Sequence, residues 1–401
     1  MSKLKNLSNN FVDIFKKKPE AIFFCPGRVN LVGEHLDYNG GTVMPSAINL
    51  GTYLALSLNN EAVFRFHSNN LKEKLEISIY QFPKKTGNEW YYYPLGILQQ
   101  FFELETMKEK KKIGLNLLFW GNIPLGSGLS SSASIEVLTA YAINSKFNLK
   151  LSLLRLVEIS KKVENEYIGL QCGIMDQFSV AFGKKDSCLM LNCKTLDFKY
   201  LNLPLREYSL VILNTNKPRM LSESKFNERV MECREALEDL QQKFPINSLV
   251  ELSLETFLQN QKLIKKEVSY QRALHVISES ERVKLVEIAI YEGNLALLGK
   301  IMYESHLSLK NNYEVSGVEL DTLVDYCRSQ SFVLGAKMTG AGFGGCAIAL
   351  VKNDQLSSFK KEILAYYFSI IGYYPTVYKT ILINGVRKVK ANAKHLLAFL
   401  N

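Results

Sequence analysis

Three short stretches of the sequence carry residues whose types and spacing could do chemistry. In the first, residues 26–41, Arg28, Glu34, His35 and Asp37 fall within ten positions. Clustered polar side chains on a turn after a strand suit a polyhydroxylated ligand, because each desolvated hydroxyl needs a hydrogen-bond partner. The same cluster could bind a metal ion, but the chain has only 5 His and no second cluster of ligands. A surface turn with incidental charges is the remaining interpretation.

The second stretch, residues 121–133, is rich in glycine and serine and reads GNIPLGSGLSSSA. Small residues between a strand and a helix let backbone N–H groups approach phosphate oxygens, and the helix N-terminus adds partial positive charge. The serines could instead only cap the helix. A cap needs one serine and no flanking glycines, so a phosphate-binding loop is the better interpretation. It is not a Walker A loop, because the chain has no Gly-Lys-Ser/Thr sequence.

The third stretch, residues 337–346, contains a formal Gly-x-Gly-x-x-Gly pattern at Gly340, Gly342 and Gly345. This pattern suggests a dinucleotide site, but that fingerprint opens a helix, and the apolar run 346–351 predicts a strand. Close approach of the backbone to a ligand or to the first domain explains the glycines better.

None of these stretches supplies an obvious catalytic base. Asp176 stands in the apolar, small-residue segment 173–178. An acid in such surroundings is either a helix cap or a buried functional carboxylate. The residues by themselves favour the cap slightly.

Length and charge limit the classes of protein to consider. The chain has 401 residues, more than one core usually organises, so we expect two domains. Lys and Arg number 49 against 39 Asp and Glu, a net charge of +10. The densest basic run, residues 108–112, contains an acid and no aromatic residue, which favours a solvated loop or helix end over a nucleic-acid interface. The basic balance also suits a polyanionic nucleotide substrate.

Cysteine usage and hydropathy bear on the compartment. The 7 cysteines are an odd number without a Cys-x-x-Cys pair, so we expect neither a disulfide framework nor a zinc site, and a reducing compartment is favoured. Residues 1–10 lack the apolar core of a signal peptide. The chain has no uninterrupted run of about 18 apolar residues. We therefore expect a cytoplasmic protein without a membrane partner.

The elements that must position these residues follow from periodicity and breakers. We predict strands at 21–25, 115–120 and 210–214, strands with a turn over 187–200, and second-sheet strands at 346–351 and 376–383. We predict helices over 133–147, 151–167, 224–244 and 319–328, and a pair over 281–308. The domain boundary is placed near 205, giving domains 1–205 and 206–401.

Together these stretches resemble the galactokinase branch of the GHMP kinases. The segment from 27–31 through 37–39 resembles the galactokinase signature, residues 124–133 the shared ATP loop, and residues 340–345 the third GHMP motif. Further matches lie at 172–178, 214–216 and 275–279, and from 304–306 through 321. The similarity covers nearly the whole chain, in order and at family spacing.

The resemblance implies a fold class, α+β, and a two-domain GHMP-kinase fold with the active site in the inter-domain cleft. It also implies ATP-dependent phosphorylation of the anomeric C1 hydroxyl of galactose, with Mg²⁺ as cofactor. The expected partners are the small-molecule sugar and ATP, with no nucleic acid and no membrane. We expect a monomer.

Matching positions carry the family's roles onto this chain. The resemblance implies catalysis by Asp176 and Arg28 and a magnesium site at Ser132 and Glu164. Residues implied to bind the sugar are Glu34, His35, Leu36, Asp37, Gly173, Asp176 and Phe226. Residues implied to bind ATP are Ser68, Gly126, Ser127, Gly128, Leu129, Ser130, Ser131 and Ser132.

Phe226 departs from the family pattern, since most galactokinases have a tyrosine there whose hydroxyl helps to hold the sugar. N-acetylgalactosamine kinases resemble the chain at this position, so that sugar is an alternative substrate. Residues 37–41 and 172–178 resemble bacterial galactokinases and favour galactose. A non-catalytic galactose- and ATP-binding sensor is the other alternative. The intact serine-rich loop argues against a sensor.

Overall fold

The computed structural model describes residues 2–105, 107, 112–217 and 222–389. The basic run 108–112 therefore lies, apart from Lys112, outside the described residues. The helices are α1 (Ser2–Phe15), α2 (Tyr92–Phe102), α3 (Ser131–Phe147), α4 (Leu153–Lys162), α5 (Met175–Phe182), α6 (Ser222–Gln241), α7 (Leu254–Gln259), α8 (Glu267–Tyr291), α9 (Leu295–Asn311), α10 (Val318–Arg328) and α11 (Leu356–Ile371). The strands are β1 (Ala21–Asn30), β2 (Thr42–Val43), β3 (Pro45–Asn59), β4 (Val63–Ser68), β5 (Leu75–Ser78), β6 (Gly114–Gly121), β7 (Ser187–Asn192), β8 (Phe198–Asn202), β9 (Tyr208–Asn214), β10 (Val333–Thr339), β11 (Cys346–Lys352), β12 (Thr376–Thr380) and β13 (Arg387–Lys388).

The largest sheet has the strand order β13-β1-β3-β6-β4-β5. Its strand β1 pairs antiparallel with β3, and the register shifts between Pro26 and Gly27, just before Arg28. Helices α3 and α5 pack against β1. Because eight of the ten residues of β1 are buried, its polar side chain at Arg28 must find partners inside the protein.

A second, antiparallel sheet has the order β10-β11-β9-β12, and a third has the order β2-β7-β8. Helices α9 and α10 pack on β10 of the second sheet. Strand β11, Cys346–Lys352, directly follows the glycine-rich third stretch, so the predicted strand is confirmed and the dinucleotide fingerprint is excluded there.

The α+β class is confirmed by this mixture of helices and sheets. The predicted boundary near 205 falls between β8 and β9 and stays a prediction. The last described strand, β13, returns to pair with β1. One hydrophobic cluster runs through both halves of the described chain, from Phe23 to Val386. No helix in the described ranges is long and apolar enough to cross a membrane.

Most predicted elements are confirmed in type, and the differences have local causes. The predicted strand 21–25 continues to Asn30, which places Arg28 on β1 and not on a turn. The predicted helix 151–167 is α4 followed by a π-helical segment, Val163–Ile168. Such segments often occur at functional sites, and this one carries Glu164. The predicted helix pair over 281–308 corresponds to α8 and α9, and α8 begins earlier than predicted, at Glu267.

Candidate active site

A cleft of about 900 Å³ collects residues from the first half of the chain together with Phe226 and residues 340–342. Every predicted site residue except Leu36 and Leu129 lines it. Those two side chains are buried in the main hydrophobic cluster. Any contact that they make with a ligand would therefore use their backbone.

An ion pair between Arg28 and Asp176 lies at the centre of the cleft. Arg28 Nε donates to Asp176 Oδ1 at 2.9 Å, and Nη2 donates to Oδ2 at 2.8 Å. The arginine side chain is 4% exposed, whereas the carboxylate is 27% exposed and accessible from the cleft. This two-bond geometry fixes the plane of the carboxylate. Asp176 lies inside the first turn of α5, after the N-cap Ile174, so the helix-cap interpretation is wrong.

The same pair is bonded to the serine-rich loop. Arg28 Nη1 donates to the carbonyl oxygen of Gly128 at 2.6 Å, and Ser130 Oγ donates to Asp176 Oδ2 at 2.6 Å. Ser130 is the N-cap of α3, in the left-handed region at φ 62°, and its side chain makes no capping hydrogen bond. The capping interpretation is therefore wrong for Ser130, whose hydroxyl is directed to the carboxylate.

The glycines of the third stretch pack against this loop. A Cβ at Gly340 would lie 2.6 Å from the carbonyl oxygen of Gly128, and one at Gly345 would lie 2.7 Å from that of Ser127. Both separations are too short for a side chain, so only glycine permits this approach. The predicted close approach to the first domain is thus confirmed.

Buried carboxylates lie beside the serine-rich loop. Glu164 is 4% exposed and accepts hydrogen bonds from the side chains of Ser132, Cys172 and Gln177. Gln177 also donates to Glu136, at 3.3 Å. Burial raises the pKa of both glutamates, and the proximity of other carboxylates raises them further. A hydroxyl and a carboxylate oxygen are hard ligands of the kind that Mg²⁺ takes from proteins, so Ser132 and Glu164 fit the predicted metal.

The opposite side of Asp176 carries the residues of the first stretch. Burial, together with the charge of Asp176, raises the pKa of Asp37 to about 6. A Cβ at Gly173 would lie 2.1 Å from Asp37 Oδ2, so glycine there leaves space for this carboxylate. His35 Nδ1 hydrogen-bonds to Tyr38 Oη at 2.8 Å, and burial keeps its pKa well below the usual value. Glu34 is fully buried, and among the described residues its Oε1 has no hydrogen-bond partner.

Phe226 on α6 closes this side of the cleft. Its ring lies 5.9 Å from the ring of His35 and 5.3 Å, edge to face, from that of Tyr38. Tyr38 in turn hydrogen-bonds to Tyr313 at 2.6 Å. The phenylalanine thus adds an apolar wall to an otherwise polar pocket.

Three family models match separate segments of the chain. Residues 9–58 match the galactokinase galactose-binding signature, residues 95–184 the GHMP kinases N terminal domain, and residues 286–369 the GHMP kinases C terminal domain. A galactokinase from Enterococcus faecalis is 45% identical over 96% of this chain and 99% of its own. One from Clostridium beijerinckii is 42% identical over 97% of this chain and 100% of its own.

The chain belongs to the galactokinase family. Its fold agrees: the structure of Lactococcus lactis galactokinase complexed with galactose superposes with a TM-score of 0.91, at 42% identity, over 96% of this chain and 100% of the other. A mevalonate kinase at 22% identity and a TM-score of 0.65 shares the fold. The predicted GHMP-kinase fold and the predicted resemblance to galactokinases are therefore confirmed. Nothing in these comparisons favours the N-acetylgalactosamine kinase or the sensor.

This galactokinase has an aromatic end to its cleft that sequence reasoning missed. Besides Ser68, the lining includes Asn70, Trp90 and Tyr93; Trp120 also borders the cleft, but its ring packs against Tyr53 in a separate hydrophobic cluster. Trp90 and Tyr93 belong to one aromatic run, residues 90–93, at the start of α2, whereas Asn70 follows β4. The run of four aromatic residues at 90–93 was therefore a local signal in the sequence.

Proposed function

We propose that this chain transfers the γ-phosphoryl group of ATP to the anomeric C1 hydroxyl of galactose, with Asp176 and Arg28 at the reacting atoms. The observation that supports this most strongly is the hydrogen bonding of Asp176, which joins Arg28 and the loop residue Ser130. The carboxylate thereby lies between the first stretch, which suits a sugar, and the loop, which suits phosphates.

Sugar binding falls to the first stretch. Glu34 and Asp37 offer carboxylate oxygens, His35 and residues 340–342 line the same wall, and Gly173 leaves room for Asp37. Acceptors in a desolvated pocket select hydroxyl donors, because an unpaired buried carboxylate is costly. This arrangement orients one hydroxyl toward Asp176.

Asp176 acts as the proton acceptor. It takes the proton of the C1 hydroxyl while that oxygen bonds to the γ-phosphorus, and the bond from the γ-phosphorus to the bridging oxygen breaks to release ADP. Arg28 holds the carboxylate by its fork and, at 4% exposure, places a permanent positive charge beside the transferred group.

Phosphate binding falls to residues 126–132 and to the N-terminus of the 17-residue helix α3. Backbone N–H groups of the loop donate to phosphate oxygens, and the helix adds its partial positive charge. Ser132 and Glu164 would hold Mg²⁺, which neutralises charge on the phosphates when bound. Ser68 lies at the aromatic end, where a nucleobase would stack.

The test is ADP release from ATP with galactose, N-acetylgalactosamine and glucose, together with phosphorus NMR of the product. We expect the highest kcat/KM for galactose and a phosphate on C1. Galactose binding without ADP release would instead indicate a sensor, and a higher kcat/KM for the N-acetylated sugar would overturn the substrate. A cytoplasmic location, a monomeric state and the absence of nucleic-acid and membrane partners stay predictions.

A further inference from the structure

A lysine from the second sheet reaches the sugar side of the cleft. Lys337, on β10, forms an ion pair with Glu34 Oε2, and the two side chains are 0% and 1% exposed. The residues are 303 positions apart in the chain. Lysine and glutamate are almost never fully buried unless they are paired. This contact therefore needs an explanation beyond packing.

The hydrogen bonds of the Lys337–Glu34 pair show which carboxylate oxygen the lysine engages. Lys337 Nζ also donates to the carbonyl oxygen of Met338 at 2.9 Å, so it approaches Glu34 from the β10 side. Oε2 is the carboxylate oxygen that it engages, and Oε1 is buried with no partner among the described residues. Glu34 lines the cleft. The lysine thus fixes one oxygen, and the other still lacks a partner among the described residues.

Other charged groups surround the carboxylate from three elements. Arg28 faces it from β1 and lowers its pKa, whereas Glu279 on α8 raises it. Glu279 is committed elsewhere, because it accepts hydrogen bonds from Gly33 N at 2.8 Å, from Ser305 Oγ at 2.7 Å and from Arg282 Nε at 2.6 Å. The titratable neighbours also include His275 on α8, which contacts the Glu34 carbonyl oxygen at 3.2 Å, the adjacent His35, and His306 on α9.

We propose that Lys337 is a positioning residue for the sugar, holding Glu34 as an ionised acceptor with Oε1 toward the cleft. This inference rests on the proposed function of Glu34 and adds a partner from the other half of the chain. Lys337 would touch neither sugar nor nucleotide, so it acts only through Glu34.

The electrostatics support this role. Burial raises the pKa of Glu34 to about 7, although the charge of Lys337 lowers it. Without the lysine, the same burial and the negative charge of Glu279 would raise it further, and a smaller fraction of the carboxyl group would be ionised at neutral pH. A protonated oxygen donates and no longer accepts the sugar hydroxyl's hydrogen bond. Galactose therefore binds at pH values above the pKa of Glu34 and loses affinity at pH values below it. Removal of Lys337 shifts this loss to higher pH.

The test is the Lys337→Met variant, measured by kcat/KM for galactose against pH and by calorimetry of galactose and of ATP. We expect the midpoint of the pH profile to rise by at least ~1 unit and galactose affinity at pH 7 to fall at least about fivefold, with ATP affinity retained. The matched control is Thr339→Val on the same strand. Thr339 exchanges hydrogen bonds of 2.8 Å and 3.2 Å with the Asn30 backbone, so its loss removes a contact to the same strand β1 without changing a charge.

A midpoint that stays at the wild-type pH in Lys337→Met, or moves equally in Thr339→Val, overturns the inference. In a Glu34→Gln background, Lys337→Met should leave galactose affinity unchanged, and a further loss there would also overturn it. If Lys337→Met does not fold, the double variant decides. If the Glu34→Gln/Lys337→Met double variant folds, the ion pair is supported, because removing both buried charges is tolerated better than removing one. If the double variant also fails to fold, Lys337 does not act through Glu34. A wild-type enzyme that binds galactose without phosphorylating it refutes the proposed function instead.

Discussion

Replacing Asp176 with asparagine tests the centre of the site with the smallest change of shape. The carboxylate accepts three hydrogen bonds, at 2.9 and 2.8 Å from Arg28 and at 2.6 Å from Ser130. Asparagine keeps one acceptor oxygen and places an NH₂ group where the second oxygen was. In place of Oδ1 that group would face Arg28 Nε, and in place of Oδ2 it would face both Arg28 Nη2 and the hydroxyl of Ser130, so at least one donor loses its acceptor. The variant thus loses both the base and the fixed orientation of Arg28.

Two magnitudes follow from this geometry. General-base contributions are typically ~10²–10⁴-fold, so we expect kcat to fall by at least ~10²-fold. Breaking a buried ion pair costs about 3–5 kcal/mol, and the 27% exposure of Asp176 places this variant at the lower end. The nucleotide contacts assigned to the loop do not use Asp176. Nucleotide affinity should therefore stay within about twofold of the wild-type value.

The assay is coupled ADP release with saturating galactose and Mg·ATP, and calorimetry gives the nucleotide Kd. Asp197→Asn is the matched control, because it makes the same substitution at an exposed position, and its kcat should equal the wild-type value. A folded, purified Asp176→Asn enzyme that kept more than about a tenth of wild-type kcat would refute Asp176 as the base.

Four further predictions test the surrounding residues. Arg28→Lys should lower kcat by at least ~10²-fold, because an ammonium cannot reach Asp176 twice and Gly128 at once; a near-normal kcat would contradict this. Ser132→Ala and Glu164→Gln should each raise the Mg²⁺ concentration needed for half-maximal rate more than the galactose KM, and an unchanged Mg²⁺ titration in both would exclude them as ligands. Phe226→Tyr should lower the galactose KM several-fold with little change in kcat, because a regained neutral hydrogen bond contributes about 0.5–1.5 kcal/mol. An unaltered KM would show that residue 226 does not contact the sugar. The pKa values of Glu34 and Asp37 are raised to about 7 and about 6, so acceptors are lost on acidification; galactose affinity should fall between about pH 8 and pH 5, and a flat affinity profile would argue against these carboxylates as sugar ligands.

Local motifs predicted the parts of the site that are contiguous in sequence. The loop 126–132 was identifiable because small residues, a preceding strand and a following helix are all local signals. Asp37 and the residues around it were identifiable because their polar types crowd one turn. Within such segments the sequence could not show where each side chain points, and its slight preference for Asp176 as a helix cap was wrong.

Pairings across the chain were not predictable in the same way. Arg28 and Asp176 are 148 positions apart, and only folding shows that α5 places the carboxylate on the arginine of β1. Nothing in the sequence assigned Lys337 a special role. Its burial and its pairing with Glu34 depend on how β10 packs in the folded protein. Leu36 and Leu129 match family positions, but their side chains lie in the hydrophobic core. A residue can belong to a binding motif because its neighbours contact the ligand, while its own side chain is buried.

The charge of the cleft changes how nucleotide binding must be explained. The net charge of +10 suggested that a basic balance would favour a polyanionic substrate. Among the described residues that line the cleft, however, Arg28 is the one cation, against the carboxylates of Glu34, Asp37, Glu73, Glu89, Glu164 and Asp176. The ionised carboxylates among them repel a triphosphate at short range, and the dispersed surface lysines are screened. Attraction must then come from oriented backbone N–H groups of the loop, from the N-terminus of α3, and from the divalent cation that ATP carries.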